Sequence, residues 1–199
     1  ESAELLREAI GRDKRVKIEE RDGFEALPAY LPPPERRGLV LIDPPYETRD
    51  DYTHVISALK EGLTRFATGT YAVWYPQLAR QEAQQLPDKL KRLPIKNWLH
   101  VTLTVHTPSA DGFGMHGSGM FIINPPWTLH GELSALLPAL AGVLGRQNQG
   151  GFKLDWLAGE GEPVRIYEAQ TDGYEAAWLV DEVKGLIPEG HTRSEIAVL

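Results

Sequence analysis

The run GLVLI at residues 38–42 is continuously apolar and ends abruptly in Asp43-Pro44-Pro45-Tyr46. Five apolar residues with no polar alternation suit a central strand covered on both faces, as in a parallel sheet. Two adjacent prolines then stop the pairing, because proline has no N–H to give to a ladder. A second stretch, FIINPPW at 121–127, repeats the pattern with Asn124 in place of the aspartate. The pair poses one question: two copies of a chemical device, or one device and a structural echo.

Around these stretches the chain alternates between helix and strand patterns. Residues 2–10 read as an amphipathic helix, and RVKIEE (15–20) as a short strand in which Val16 and Ile18 alternate with charges. DGFEALPAYLPPPERR (22–37) reads as a turn, a helical turn and a proline-rich loop. Residues 51–66 place apolar side chains at 52, 55, 56, 59, 63 and 66, one face of a helix. TYAVWYP (70–76) is a strand stopped by proline, and 77–93 a helix broken at Pro87. NWLHVTLTVH (97–106) sets Trp98, His100, Thr102 and Thr104 against Leu99, Val101, Leu103 and Val105, a strand with one polar face. A Gly-rich loop (111–119), an apolar strand (119–124), a helix with Pro138 inside (129–145) and a last strand (150–159) complete the pattern. This order predicts an α/β fold: a doubly wound sheet with an antiparallel edge. Ligands in such sheets bind at the carboxyl ends of strands, where Asp43 sits.

Composition narrows the chemistry. With no cysteine among 199 residues there is no disulfide, thiol nucleophile or thiolate metal site. The six histidines show no HxxxH or HxH spacing, so no metal is expected. No run of 18 apolar residues exists to span a membrane. The first residues lack an initiator Met and read as an internal starting point, not a signal peptide. The formal charge of −7 argues against non-specific polyanion binding but leaves room for a local basic face. DKLKRLPIK (88–96) and Arg36 with Arg37 are candidates for one, against the plainer reading of solvated helix ends.

What can a DPPY loop do? An exocyclic amine on a base is a poor nucleophile because its lone pair is delocalised into the ring. Accepting hydrogen bonds from both amine hydrogens localises that pair toward an electrophile. Asp43 offers a carboxylate for one, and the proline-fixed carbonyl of Pro44 offers the second. Tyr46 then stacks on the base, beside Pro45. This is positioning with complementary hydrogen bonding, and it needs no base of shifted pKa. The plainer alternative is a strand end whose aspartate caps the next helix. DGF (22–24) after the preceding strand favours the functional reading, because an Asp at that earlier strand end can bind an adenine amine.

GFGMHG (112–117) fits GxGxxG but lies between two strands, so the helix N-terminus that would bind phosphate is missing. It reads as a mobile loop beside the substrate, with His116 facing solvent.

Through RRGLVLIDPPYE, FATGTYAVWYP and GSGMFIINPPW, residues 1 to about 160 resemble the C-terminal part of a bacterial family. It is that of the large-subunit ribosomal RNA adenine-N6 methyltransferases, once labelled as concerned with catabolism of external DNA. The resemblance implies a class I, Rossmann-like methyltransferase sheet, S-adenosylmethionine as methyl donor and an adenine of 23S rRNA as acceptor. It further implies a cytoplasmic, monomeric enzyme. Asp43, Pro44 and Tyr46 would be the catalytic, amine-binding and stacking residues, with Pro45 and Tyr46 on the substrate. Asp22, Gly23 and Phe24 would lie near the cofactor adenine. The family's first half, including its glycine-rich cofactor loop, does not appear in these residues, so only part of a cofactor site is expected.

Residues 163–199, VRIYEA through EIAVL, resemble a strand–helix–strand piece of Rep/UvrD-like superfamily 1 DNA helicases. The phosphate loop GxxxxGK[ST] is absent from the whole sequence. Two classes thus stand behind the methyltransferase reading: a helicase-related fragment, and a catalytically inactive nucleic-acid-binding module.

Overall fold

In the computed structural model, which describes residues 2–10, 13–109 and 111–157, β2 (Thr70–Gln77) is the spine of a five-stranded sheet. All these residues fall within one compact unit, Glu1–Glu160. The other strands are β1 (Leu39–Ile42), β3 (Trp98–Thr104), β4 (Gly117–Ile123) and β5 (Gly151–Leu157), in the spatial order β1-β2-β4-β3-β5. Only β1 and β2 pair in parallel; β2–β4, β4–β3 and β3–β5 are antiparallel. The reversed element is therefore not a mere edge, as expected from sequence: β4 is inserted between β2 and β3, and β5 closes the far side reversed as well. Helices α1 (Ser2–Ile10), α2 (Gly23–Tyr30), α3 (Arg49–Arg65), α4 (Gln81–Lys91) and α5 (Leu129–Leu144) complete the mixed α/β architecture.

β2 alternates Tyr71, Val73 and Tyr75 onto one face, all essentially buried, where they join Phe121 and Ile123 of β4. α3 covers them with Val55 and Leu59 and α4 with Leu86 and Leu90, the apolar stripe the helical period calls for. α5 packs against β3 and β5, and its Leu137 and Ala141 are buried.

β4 opens with Gly117-Ser118-Gly119, and the two glycines have a shared use. A Cβ on Gly119 would lie 2.1 Å from Tyr75 Cζ, and one on Gly117 2.3 Å from Gln77 Oε1. Side chains of β2 thus cross over β4 to reach β3. Tyr75 Oη meets His100 Nε2 at 2.7 Å, and Thr104 Oγ1 donates to Gln77 Oε1 at 2.9 Å. The polar face expected for β3 is accordingly inside, with His100 and Thr102 each 8% exposed.

Several further expectations are corrected. RVKIEE (15–20) forms no strand, since two apolar residues offer little to bury and no described strand pairs with them. GLVLI is not central: β1 is an edge of the described sheet, with Leu39 and Leu41 exposed and only its Val40/Ile42 face packed. Pro76 does not end β2, which runs on to Gln77. α4 begins at Gln81, not 77, and carries Pro87 within it without a break. His116 is half-buried rather than solvent-facing, its backbone N–H donating to the Gln77 carbonyl. The helicase-like residues 163–199 lie outside the described residues.

The second Pro-Pro-aromatic stretch makes structural contacts. β4 runs opposite to β1, so Asn124 lies at the opposite strand ends of the sheet from Asp43. Asn124 has φ 51°, and its Nδ2 donates to the carbonyls of Ala67 and Gly69 at 2.8 and 2.9 Å. Thr70 Oγ1 donates back to the Asn124 carbonyl at 2.9 Å. This ties the end of β4 to the start of β2. Asn124→Ala should lose two hydrogen bonds and strain the left-handed backbone, about 3 kcal/mol by urea unfolding.

A second prediction concerns pH. Burial pushes the His100 imidazole down to about 4, helped by the nearby Lys91 ammonium and opposed by Asp155, whose carboxylate lies 4.0 Å from Nδ1. A histidine held neutral in the fold contributes stability above its ordinary pKa of 6.5, and that stability drains away as pH falls from 6.5 toward 4. The full loss is on the order of 3 kcal/mol. His100→Gln keeps an acceptor for Tyr75 and does not titrate, so its unfolding free energy should change less between pH 7 and pH 4.5 than wild type.

Candidate functional site

Because β1, β2 and β3 share a direction, the residues that follow them share one edge. Here the chain leaves β1 through Asp43-Pro44-Pro45-Tyr46, leaves β2 through Leu78-Ala79-Arg80, and runs from β3 into the Gly-rich loop. That loop carries Gly112 and Gly114 at φ 72° and 86° and lies against the segment after β2, where a Cβ on Gly112 would meet Ala79 Cβ at 3.4 Å. It joins two strands, as expected, and its Phe113 and Met115 are exposed.

A cavity of about 620 Å³ opens at the end of β1. Val40, Leu41, Ile42, Asp43, Pro44 and Pro45 form one wall, and Asp22, Gly23, Phe24 and Leu27 face them, with Asp51 and His54 from α3. Of the residues selected from sequence, Asp22, Gly23, Phe24, Asp43, Pro44 and Pro45 thus share one space, and Tyr46 alone does not line it. A further cavity of about 600 Å³, lined by Lys60, Lys96 and Asn124, belongs to the opposite edge and holds none of them.

Local rules explain the far wall. Asp22 is the N-cap of α2: its Oδ1 accepts from the Phe24 and Glu25 amides at 2.7 and 3.2 Å. Those two bonds leave Oδ2 out of the cap. Gly23 is open, since a Cβ there would meet nothing within 4 Å. The Phe24 ring lies 5.6 Å from His54, tilted by 58°.

Tyr46 behaves differently from expectation. Its φ is 54°, the left-handed region uncommon for a bulky residue. That turn sends the ring into the core, 2% exposed, 4.9 Å from the Tyr52 ring, with the hydroxyl donating to the Trp74 carbonyl at 2.7 Å. Burial raises its hydroxyl pKa, with Tyr52 and Asp43 adding to the effect. The ring face has no room to stack on a base in this conformation, and the hydroxyl ties the loop to β2. Beyond it, Thr48 and Asp51 form a capping box at the start of α3, Thr48 N–H to Asp51 Oδ2 at 2.8 Å.

Sequence reasoning missed Arg80. Its Nη1 donates to the carbonyls of Tyr46 and Glu47 at 3.1 and 3.0 Å. No local signal announces a contact across 33 residues. The basic run 88–96 is partly spent internally: Lys91 sits 4.6 Å from the Trp98 ring and 3.7 Å from Asp155. Among the described residues no group of three His, Asp or Glu side chains is placed to hold a metal ion, and no helix is long and apolar enough to cross a membrane.

The chain is similar to known proteins along nearly all of its described length. A family model described as "Ribosomal RNA large subunit methyltransferase D, RlmJ" matches residues 1–158. Ribosomal RNA large subunit methyltransferase J of Haemophilus influenzae is 45% identical over 156 residues, and that of Escherichia coli 44% identical over the same length. In each case the match covers 78% of this chain and 55% of the relative, so the chain spans about half the length of those proteins. The crystal structure of protein LPL1258 from Legionella pneumophila is similar with a TM-score of 0.62 and 33% identity, over 70% of this chain and 50% of that one. With the DPPY strand end and its cavity in the matched region, the chain belongs to the RlmJ family of ribosomal RNA large-subunit methyltransferases.

Proposed function

We propose that this chain forms the acceptor half of an enzyme that transfers a methyl group from S-adenosylmethionine to the N6 amine of an adenine in 23S rRNA. The observation that carries this reading is the convergence of Asp43, Pro44 and Pro45 with Asp22, Gly23 and Phe24 on one cavity at the strand ends. The finer fold reading is the C-terminal part of a class I, Rossmann-like sheet, supported by a parallel pair that runs into an inserted reversed strand.

The wall opposite the DPPY turn suits the adenosine end of the cofactor. Phe24 and Leu27 offer apolar surface, Gly23 lets a ligand approach the backbone, and Asp22 keeps Oδ2 for an adenine amine. When bound, S-adenosylmethionine supplies an electrophilic methyl on a sulfonium sulfur. The described residues would provide this one wall of a cofactor site.

Asp43 and Pro44 act on the acceptor. The Asp43 carboxylate accepts one amine hydrogen and the Pro44 carbonyl the other, so the nitrogen lone pair turns out of the ring plane toward the methyl. Neither proline has an N–H to compete for those acceptors. Formation of the N–C bond would go with cleavage of the sulfonium C–S bond to leave a neutral thioether, and the proton then lost from the nitrogen would pass by way of Asp43 to water. Pro45 presents an apolar face to the base. Tyr46, read from sequence as a stacking residue, serves this site by fixing the turn. The cycle needs no metal and no second copy of the chain, and its setting is the cytoplasm, where rRNA is made. The absence of GxxxxGK[ST] leaves a helicase reading without a phosphate site.

In a protein that carries this chain at full family length, Asp43→Ala should lower methyl transfer to deproteinised 23S rRNA by about a thousandfold or more. Its melting temperature should stay within about 2 °C of wild type, since an exposed strand-end carboxylate holds little of the fold. Wild-type turnover by this variant would remove Asp43 from the chemistry.

A further inference from the structure

We infer that Arg80 is the positioning residue of the DPPY turn: its guanidinium holds the turn's carbonyls so that Asp43 and Pro44 face the cavity. The catalytic part of this inference rests on the proposed methyl transfer, whereas the structural part stands without it.

The turn has an unusual need. Pro44 and Pro45 have no amide hydrogens, so the segment between β1 and α3 cannot fix itself with turn hydrogen bonds from those residues. The prolines freeze φ but leave ψ to be set by whatever holds the downstream end. Two groups hold it. The Tyr46 hydroxyl bonds the Trp74 carbonyl on β2, and Arg80 Nη1 spans the Tyr46 and Glu47 carbonyls. The left-handed φ of Tyr46 separates the ring from the carbonyl, sending the first to the core and the second to Arg80.

The Arg80 side chain does not cap its own helix. It is the N-cap residue of α4 yet makes no side-chain cap bond, and the acid in the first turn of α4, Glu82, pairs with Arg49 at 2.5 Å. Arg49 opens α3, directly after the turn, so the start of α4 grips both the DPPY exit and the start of α3. The Arg80 charge also lies near the Tyr52 hydroxyl, where it works against the upward push of burial on that pKa. A planar guanidinium can serve two carbonyls from one nitrogen and keep further N–H groups for other partners, which a lysine ammonium on a flexible stem does less rigidly. A misplacement of about 1 Å in a positioned acceptor costs on the order of a hundredfold in rate.

The test uses Arg80→Ala and Arg80→Lys. Hydrogen–deuterium exchange of the chain as it stands reads the clamp directly. In Arg80→Ala the amides of residues 46–49 should exchange at least about tenfold faster, with those of 71–75 in β2 unchanged. In the family-length protein, single-turnover methyl transfer to 23S rRNA should fall about 10–100-fold in kcat. KM for RNA should stay within about threefold. Added guanidinium chloride at low millimolar concentration should restore part of the Arg80→Ala rate, and Arg80→Lys should be intermediate. Unchanged exchange at 46–49 would overturn the clamp. A loss confined to KM would make Arg80 a phosphate contact instead and overturn the positioning role. If wild type transfers no methyl to 23S rRNA, the functional reading fails while the exchange result still decides the clamp.

Discussion

The site depends on the parallel pairing of β1 with β2. That pairing sets Ile42 beside Val73 and so brings the end of β1 against Trp74 and the residues that leave β2. Two consecutive prolines deny the turn its own donors, and β2 and its exit supply the fixing bonds through Trp74 and Arg80. With the turn held from below, the Asp43 carboxylate and the Pro44 carbonyl remain available as acceptors. A rigid loop of acceptors over a cavity is what an amine nucleophile requires.

The same strand organises the opposite side of the sheet. Its Tyr75 and Gln77 reach across the glycines of β4 to His100 and Thr104, so three neighbouring strands are cross-linked by one buried and one half-buried polar pair as well as by ladders. Buried polar pairs of this kind specify register, since a one-residue slip of β4 would put a side chain where Gly119 now stands. The end of the sheet that carries the candidate site is therefore borne by a spine with little freedom to slide. The NPPW stretch ties down the other edge through Asn124, so two similar sequences serve different ends.

How much of this was legible in the chain? The helical stripe of α3, the helix α5, the strands β2 to β5 and the DPPY element of the cavity followed from periodicity and strand-end chemistry, whereas DGF lines the cavity as a helix N-cap although the strand expected before it does not form. Apolarity misled at GLVLI, because it reports a surface that wants cover and not whether the described chain provides it. Alternation misled at 15–20, where Val16 and Ile18 had no strand to pair with; at 97–106 it gave the strand, and its polar face is inside because His100 has Tyr75. Pro87 suggested a break that α4 does not show. Tyr46 lies in the expected loop with its ring in the core, because a side chain's direction at positive φ cannot be read from residue type. Arg80 was invisible because its contact exists only once β1 and β2 are in register.

The family membership and the strand-end geometry support one proposal: an acceptor amine would be held by Asp43 and Pro44 at the end of β1. The most direct measurement is a crystal structure of the family-length protein with an adenosine-based bisubstrate analogue, the acceptor N6 carrying the linker to the cofactor portion. The prediction is N6 within about 3.2 Å of both the Asp43 carboxylate and the Pro44 carbonyl. The adenine of the cofactor portion should then lie beside Phe24, with the Tyr46 ring still in the core. An acceptor amine more than about 4 Å from Asp43, or seated at the Asn124 edge, would contradict it.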